Sequence, residues 1–465
     1  MKHTLYFFAA STLLQTACQI KTRIEEIAPP VSVEEKNIAL GSSISGVIEA
    51  VGAASNEFVP ETPTALAGFG GLARRFLPPV FAPGGNVSFC RPYENVANPP
   101  KIKVAVFDVR KDLSNQKRLF LISLDVVAVT ADLTAKIHRT IDEVVGKGTA
   151  DLNSTIVVAS HTHSGPAGLT ENPLWGIFVC DQYSARLTNS YLNTLKLTLQ
   201  RALASVAPIT KIETTTAKIP TLVKSRFEGM EPINDISLLA FRKANGESPL
   251  ALLQMAVHPT KYGPRDLVLT ADLVAPLEKN IKEKNNSDFV FLLQTEIGNM
   301  DSNTEGGDIE SWARNVAEQL KSTGSLSTST ERSVSTSANY VSLPSKRMNW
   351  ESCDAKFAEG IVSLPILENL PNRAPYSAWM INEELSLFLP GEWTTSGAQQ
   401  LKNRITNRFS IEKKIKIFSL ANEYTAYHLS KDFYAKKNLE SCSSLYGEEN
   451  VDTFAEGIIN SDLLR

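Results

Sequence analysis

An α/β fold of mixed sheets with flanking helices, in a single large catalytic domain, is predicted by three features of the sequence. Apolar runs of strand length alternate with longer amphipathic stretches of helical period. Several of the runs end in loops carrying Gly and Pro, and two flank an Asn-Gly turn of the hairpin type. The composition is that of a folded globular protein, with 43% apolar and 21% charged residues among 465, and it excludes disorder, collagen and coiled coil.

Taken in order, residues 1–17 carry Lys2, an apolar stretch from Leu5 to Leu14 and then small residues, the plan of a secretory signal. Cys18 follows Thr16-Ala17 in the manner of a bacterial lipobox, so the mature chain is expected to be an exported lipoprotein held to a membrane surface by acylated Cys18; ordinary signal cleavage nearby is the alternative. Residues 18–62, polar and containing Pro29-Pro30, read as a tether, and residues 63–465 as the catalytic domain. Ile102–Asp108 and Arg118–Val126 read as strands, Asp132–Val145 as a helix, Ser154–Ser160 as a strand and Arg186–Val206 as a helix. Ile236–Phe241 and Leu250–Val257 form a hairpin pair around Asn245-Gly246. Ala271–Lys284 is helical, Phe289–Thr295 a strand, Ile309–Leu320 helical, and the Ser/Thr-rich stretch 322–337 a surface excursion. The strand Leu385–Leu389, a helix over Ser396–Ile405 and the strand Ile415–Leu420 complete the pattern.

Charge and cysteine usage narrow the function. With 47 Lys+Arg against 50 Asp+Glu and a net charge of −3, no basic surplus is present to neutralise phosphates, so nucleic acid is not an expected partner. Beyond Cys18 the cysteines are Cys90, Cys180, Cys353 and Cys442. In an exported chain that even number suggests two disulfides, with buried thiols as the other reading. No C-x-x-C pair occurs, which disfavours a cysteine zinc site.

The histidines, six in all, carry the chemistry. His138 falls on the predicted helix with Arg139 and Asp142 nearby and reads as part of a solvated face. His161 and His163 end the run VVASHTHSGPAG, where a buried strand enters a Gly/Pro loop, and alternation would point both imidazoles to one side. His258 closes another apolar run, LALLQMAVHPTKYGP, where a core histidine is the competing reading. Glu392 stands at a third such place, LSLFLPGEWTTSGAQQL, just before a helix whose N-terminus a carboxylate would also favour. Strand ends are where α/β proteins place their sites. Two histidines and a glutamate there make the His₂Glu set of a catalytic zinc centre with a position left for water. The HExxH helix of the zincins is absent.

These segments together resemble the catalytic domain of the neutral (non-lysosomal) ceramidases, zinc amidases that hydrolyse ceramide to sphingosine and fatty acid. The resemblance runs in order over roughly 65–450 through ALAGFGG, RLFLISLDVV, SHTHSGPAG, AVHPT followed by LTADL, QTEIGNMDSN, LPGEWTT and ANEYTAY. It implies that His161, His258, Glu392 and Tyr427 hold Zn²⁺, with Tyr424 the less favoured tyrosine, and that His163 lies beside the metal. Asp301 stands where the family carries an essential serine, and Ser302 where it has proline. Arg226, in Lys224-Ser225-Arg226, is the counterpart of a family basic residue, Leu439 replaces a second tyrosine, and no counterpart of the family's immunoglobulin-like C-terminal domain is expected.

A metal of this kind polarises a carbonyl and lowers the pKa of bound water to about 7. The resemblance then implies that Tyr427 stabilises the developing oxyanion and His163 exchanges the proton. Asp301 reads either as a base that orients the water or as a loop residue bonding local amides, and Ser302 as a neighbouring nucleophile should that role slip by one residue. The implied substrate is a lipid, ceramide or another N-acyl amine. A zinc hydrolase of a different amide or ester, and a non-catalytic lipid-binding surface lipoprotein, are the other functions compatible with these residues.

Overall fold

The structure, a computed structural model, describes residues 38–69, 72–81, 87–112, 115–172, 181–220, 222–304, 308–347, 349, 370–409, 414–436 and 438–460. The segment 1–37, with the expected signal and Cys18, and also Cys180 and Cys353, lie outside these residues.

The main strands are β1 (Ser45–Glu57), β2 (Lys101–Asp112), β3 (Asn115–Leu124), β4 (Thr155–Ala159), β5 (Lys211–Lys218), β6 (Asp235–Arg242), β7 (Leu250–Met255), β8 (Val290–Gln294), β9 (Ser325–Ser329), β10 (Ser333–Ser342), β11 (Arg373–Ile381), β12 (Glu384–Phe388) and β13 (Lys414–Phe418). The main helices are α1 (Ala131–Val145), α2 (Ala185–Ala204), α3 (Val274–Asn285), α4 (Ile309–Thr323), α5 (Thr395–Phe409) and, after two single turns, α6 (Asn450–Ile459). A large sheet runs β13-β12-β11-β10-β1-β2-β3-β4, and a smaller one β8-β7-β6-β5-β9.

Period-two alternation stacks these elements in four layers. Ile48, Val51, Phe107, Leu121 and Val158 of the large sheet meet Leu239, Phe241, Leu252 and Leu293 of the small one. The opposite face of the large sheet packs Val104, Val106 and Ile122 on Ile137 of α1 and Leu195 and Leu199 of α2. At its other end the same face packs Tyr376, Leu385 and Leu387 on α5 and α6. The small sheet turns Leu238, Leu253 and Leu292 to α3 and α4. Each such side chain contributes about 1.5–3 kcal/mol when fully buried. Helix–sheet–sheet–helix layering is the α/β class expected from the sequence.

Three expectations need correction. The tether 18–62 extends too far, because β1 lies at the centre of the large sheet, paired with β2 and β10. Its segment SGVIEAVGAASNE hides from an apolar-run reading because Ala and Gly supply much of its buried face. The stretch 322–337 is no mere excursion, since it ends α4, forms the edge strand β9 and enters β10, where Val334 and Thr336 are buried. Ser and Thr lower the hydropathy there, yet Thr is a good strand residue.

His138 is the third. It is buried in α1 rather than solvated, and neither ring nitrogen has a hydrogen-bond partner. Burial, only partly offset by Asp142, pushes its pKa down to about 4. The unfolded chain therefore takes up a proton that the fold excludes, and the associated stability, on the order of 3 kcal/mol, is present above about pH 6.5 and lost as pH falls toward 4. His138→Leu should flatten that acid limb, seen as a smaller drop in melting temperature between pH 7 and pH 4 than in wild type. Equal drops would show that His138 does not carry it.

Parallel pairing positions the site. β3/β4, β7/β8 and β12/β13 are the parallel pairs among the main strands, and each contains a sheet-edge strand. The three edges converge at their carboxyl ends. Val158 bridges Ala421, Ala159 N–H donates to Leu420 O at 3.2 Å, and Ser419 N–H donates to Gln294 O at 3.0 Å.

Candidate metal centre

The chain leaves β4 through Ser160 and turns at once, with His161 in the left-handed region at φ 70°. That conformation costs a non-glycine residue energy, so the surroundings must hold it. His161 N–H donates to Val126 O at 3.0 Å, and its Nδ1 lies 2.6 Å from Val127 O. The turn, rather than the strand alternation expected from H-x-H, brings His163 back over the site. His163 Nε2 lies 3.2 Å from His161 Nε2. Gly68 makes room for it, since a Cβ there would lie 2.5 Å from His163 Cα.

His258 arrives from β7. Its N–H donates to Met300 O at 2.9 Å and its Nδ1 lies 3.1 Å from the same oxygen. Glu392 arrives from β12 through a Pro390-Gly391 turn. Gly391 has φ 72°, and a Cβ there would lie 2.4 Å from Ala426 O, so the close approach of the 421–427 segment requires glycine. Glu392-Trp393 then pairs in parallel with Tyr427-His428. The Glu392 carboxylate sits among these rings, with Oε2 3.2 Å from His258 Nε2 and 3.3 Å from His161 Nε2. Its Oε1 accepts from Tyr424 Oη at 2.6 Å.

These contacts fit a cation. A backbone carbonyl only accepts, so Nδ1 of His161 and of His258 carries the proton and a neutral ring presents a lone pair at Nε2. Both lone pairs face a carboxylate oxygen, an acceptor-to-acceptor contact that a positive ion between them converts to attraction. The ligand atoms of His161, His163 and His258 lie within 4.8 Å of one another. Burial, with Arg226 and His161, holds the His258 pKa below its ordinary value despite Glu392. Burial and the same kind of neighbours, His161 and His258, hold His163 well below as well. Burial alone would push the Glu392 carboxyl up, but His161 and His258 outweigh it and keep the group well below the usual carboxylate range. Neutral imidazoles and an ionised carboxylate are the forms that ligate a metal.

Both tyrosines of ANEYTAY address Glu392. Burial and then the Glu392 charge push the phenols of Tyr424 and Tyr427 well above their ordinary range, so both are proton donors. Tyr424, the tyrosine less favoured from sequence, donates to Glu392 Oε1 at 2.6 Å.

A wall of charge stands beside this centre. Asp301 lies on the short strand Met300–Ser302, which pairs antiparallel with Val223–Ser225, and it bridges His258 in backbone register. Arg226 Nη1 is 3.7 Å from Asp301 Oδ1, and its Nε is 2.8 Å from Glu440 Oε1. Arg226 also donates to Gly298 O at 2.5 Å. Burial works against its charge, but Tyr427, Glu440, Asp301 and Glu392 more than compensate and hold its pKa above the ordinary value. Strand alternation directs Ser302 to the face away from Asp301. Leu439 is exposed, next to Glu440.

Sequence reasoning missed Glu440, Gln294 and Asn422. Asn422, at φ 62°, accepts from Val157 N–H at 2.9 Å through Oδ1 and so ties the tyrosine segment to β4. Asn is the side chain most at ease in that left-handed backbone, which was the available signal. His428, unassigned from sequence, stacks on Trp393 at 4.5 Å and 2° behind the site.

A four-layer α/β sandwich with a buried histidine–carboxylate centre at converging strand ends is the class these observations define. Solved neutral ceramidases share this fold. The neutral ceramidase from Pseudomonas aeruginosa superposes with a TM-score of 0.68 at 15% identity, covering 89% of this chain and 74% of that one. A ceramidase complexed with C2 gives a TM-score of 0.70 at 14% identity, with the same 89% and 74% coverage. No family model and no curated protein matches the sequence.

Proposed function

We infer that the protein is an exported, zinc-dependent amide hydrolase that cleaves N-acyl sphingoid, ceramide-like lipids to a fatty acid and an amine. The observation that carries this reading is the approach of His161 and His258 Nε2 to one Glu392 oxygen, with His163 beside them, in a buried centre. The ceramidase fold supports it. His161, His258, Glu392 and Tyr427 would hold the metal, with Tyr424 completing the carboxylate's bonding. Zinc there supplies a Lewis acid for the scissile carbonyl and a water of lowered pKa.

The chain's own residues do the rest. Tyr427, held protonated, donates to the carbonyl oxygen as charge develops on it. Asp301 or His163 takes a proton from the attacking water and returns it to the leaving nitrogen. Water thus adds across the C–N bond, hydroxyl to the acyl carbon and proton to the amine. Arg226, paired with Glu440 at 2.8 Å, lies 3.7 Å from Asp301 Oδ1 and would orient that side chain for the first transfer.

Residues 1–17 are proposed as the signal, Cys18 as the acylated anchor, and Cys90, Cys180, Cys353 and Cys442 as two disulfides. Among the described residues no helix is long and apolar enough to cross a membrane. Protein purified from membranes should contain about one zinc per chain, hydrolyse a fluorescent N-acyl sphingosine, and show in non-reducing mass analysis no free thiol and an acyl mass on Cys18. Bound zinc without cleavage would move the substrate to another amide or an ester. Absence of zinc and of turnover would leave a lipid-binding lipoprotein, and four free thiols would remove the disulfide assignment.

A further inference from the structure

Gln294 ends β8 and is 1% exposed, yet it touches none of the reacting groups. Its amide lies where the three strand ends meet. Nε2 donates to Ser160 O and to Val257 O, both at 2.8 Å, while Oε1 accepts from Val257 N–H at 3.1 Å. Ser160 immediately precedes His161, and Val257 immediately precedes His258. The main-chain oxygen of Gln294 accepts from Ser419 N–H at 3.0 Å. Ser419 Oγ in turn donates to Thr295 O at 2.6 Å and accepts from Trp393 N–H, the residue after Glu392, at 3.3 Å.

The two histidines come from different sheets, β4 from the large and β7 from the small, and no main-chain ladder joins those two strands. A single side chain with two donors and one acceptor closes that gap one residue short of each ligand. We propose that Gln294 is a positioning residue that sets the separation of His161 and His258 and thereby the metal affinity of the centre. The proposal rests on the metal reading above. Glutamine suits the task because a hydrocarbon of equal length would leave two carbonyls and an N–H unpaired in a dry site. Those groups would move to find partners and carry the neighbouring histidines with them.

The test is metal affinity on the full mature protein, measured by competition with a chromogenic chelator, and the visible absorption of the Co²⁺-substituted form. Outer partners of metal ligands are typically worth 10–100-fold in affinity. Gln294→Met should weaken Zn²⁺ binding by about that factor and change the Co²⁺ d–d bands. The control is Gln254→Met on adjacent β7. Gln254 is also buried, but its amide oxygen accepts from Lys416 and touches no strand end of the centre. That change should lower the melting temperature and leave zinc affinity and the cobalt spectrum unaltered. If Gln294→Met does not fold, Gln294→Glu keeps the size and the acceptor for Val257 N–H while losing both donors, and should weaken zinc in the same way. Unchanged affinity in the Gln294 variants, or an equal loss in Gln254→Met, overturns the positioning role while leaving the metal reading intact. A wild-type protein that binds no zinc overturns the metal reading and this inference with it.

Discussion

His258→Ala is expected to empty the metal centre and to lower hydrolysis at least about 10³-fold, since the charge stabilisation a metal supplies is worth several kcal/mol and each 1.36 kcal/mol is tenfold in rate. Met300 O, 3.1 Å from Nδ1, orients the ring and turns Nε2 toward Glu392 at 3.2 Å, and the alanine variant lacks that ligand atom. His161→Ala removes the partner ligand and should act alike. Neither change should unfold the protein. The hydrophobic layers that carry stability lie below the site, and the cost is that of leaving the buried Glu392 carboxylate less well paired, about 1–3 kcal/mol. Near-ultraviolet circular dichroism and zinc content of each variant separate the two effects. Full zinc occupancy in either folded variant would remove these histidines from the centre.

The sequence made the outer plan of the fold legible where apolar periodicity is strong. Strands such as Arg118–Val126 and Phe289–Thr295, and helices such as Ile309–Leu320, agree with β3, β8 and α4 within a few residues. It hid β1 and β10, whose inward residues are often small or hydroxylated, because their burial comes from the sheets on either side rather than from their own hydropathy. The site was legible for a different reason. A His or Glu at the end of an apolar run is costly unless used, so His161, His258 and Glu392 stand out one at a time. Their meeting could not be read, because it depends on three sheet edges closing on one another through contacts such as Val158 with Ala421, 263 positions apart by their numbers. His138 shows the converse error. A histidine among charged neighbours on a helix looks solvated until the packing of α1 on the large sheet buries it. Gln294 was invisible because a polar residue ending a strand is common, and only the three-dimensional register gives its amide two histidine loops to join.

Asp301→Ala is the second large effect, and it tests the position where the chain departs most from the family it resembles. Asp301 sits in backbone register with His258, with Arg226 3.7 Å from its Oδ1 and the side chain 29% exposed. An ion pair that open contributes no more than about 1 kcal/mol, so the variant should stay folded and keep its zinc. Arg226 retains Glu440 as a partner. The loss should therefore be kinetic, about 10²–10⁴-fold in kcat, the usual worth of a positioned acid or base. Asp301→Ser restores the family's residue and should recover part or all of the activity on N-acyl sphingosine. Ser302→Ala is the opposite case, because alternation turns Ser302 away from Asp301, and the change is expected to leave kcat within a few fold of wild type. A Ser302→Ala enzyme with no turnover would place the attacking group on Ser302 and reverse these roles. An active enzyme indifferent to Asp301→Ala would leave His163 as the group that carries the proton from water to amine, because its Nε2 already lies 3.2 Å from His161 Nε2.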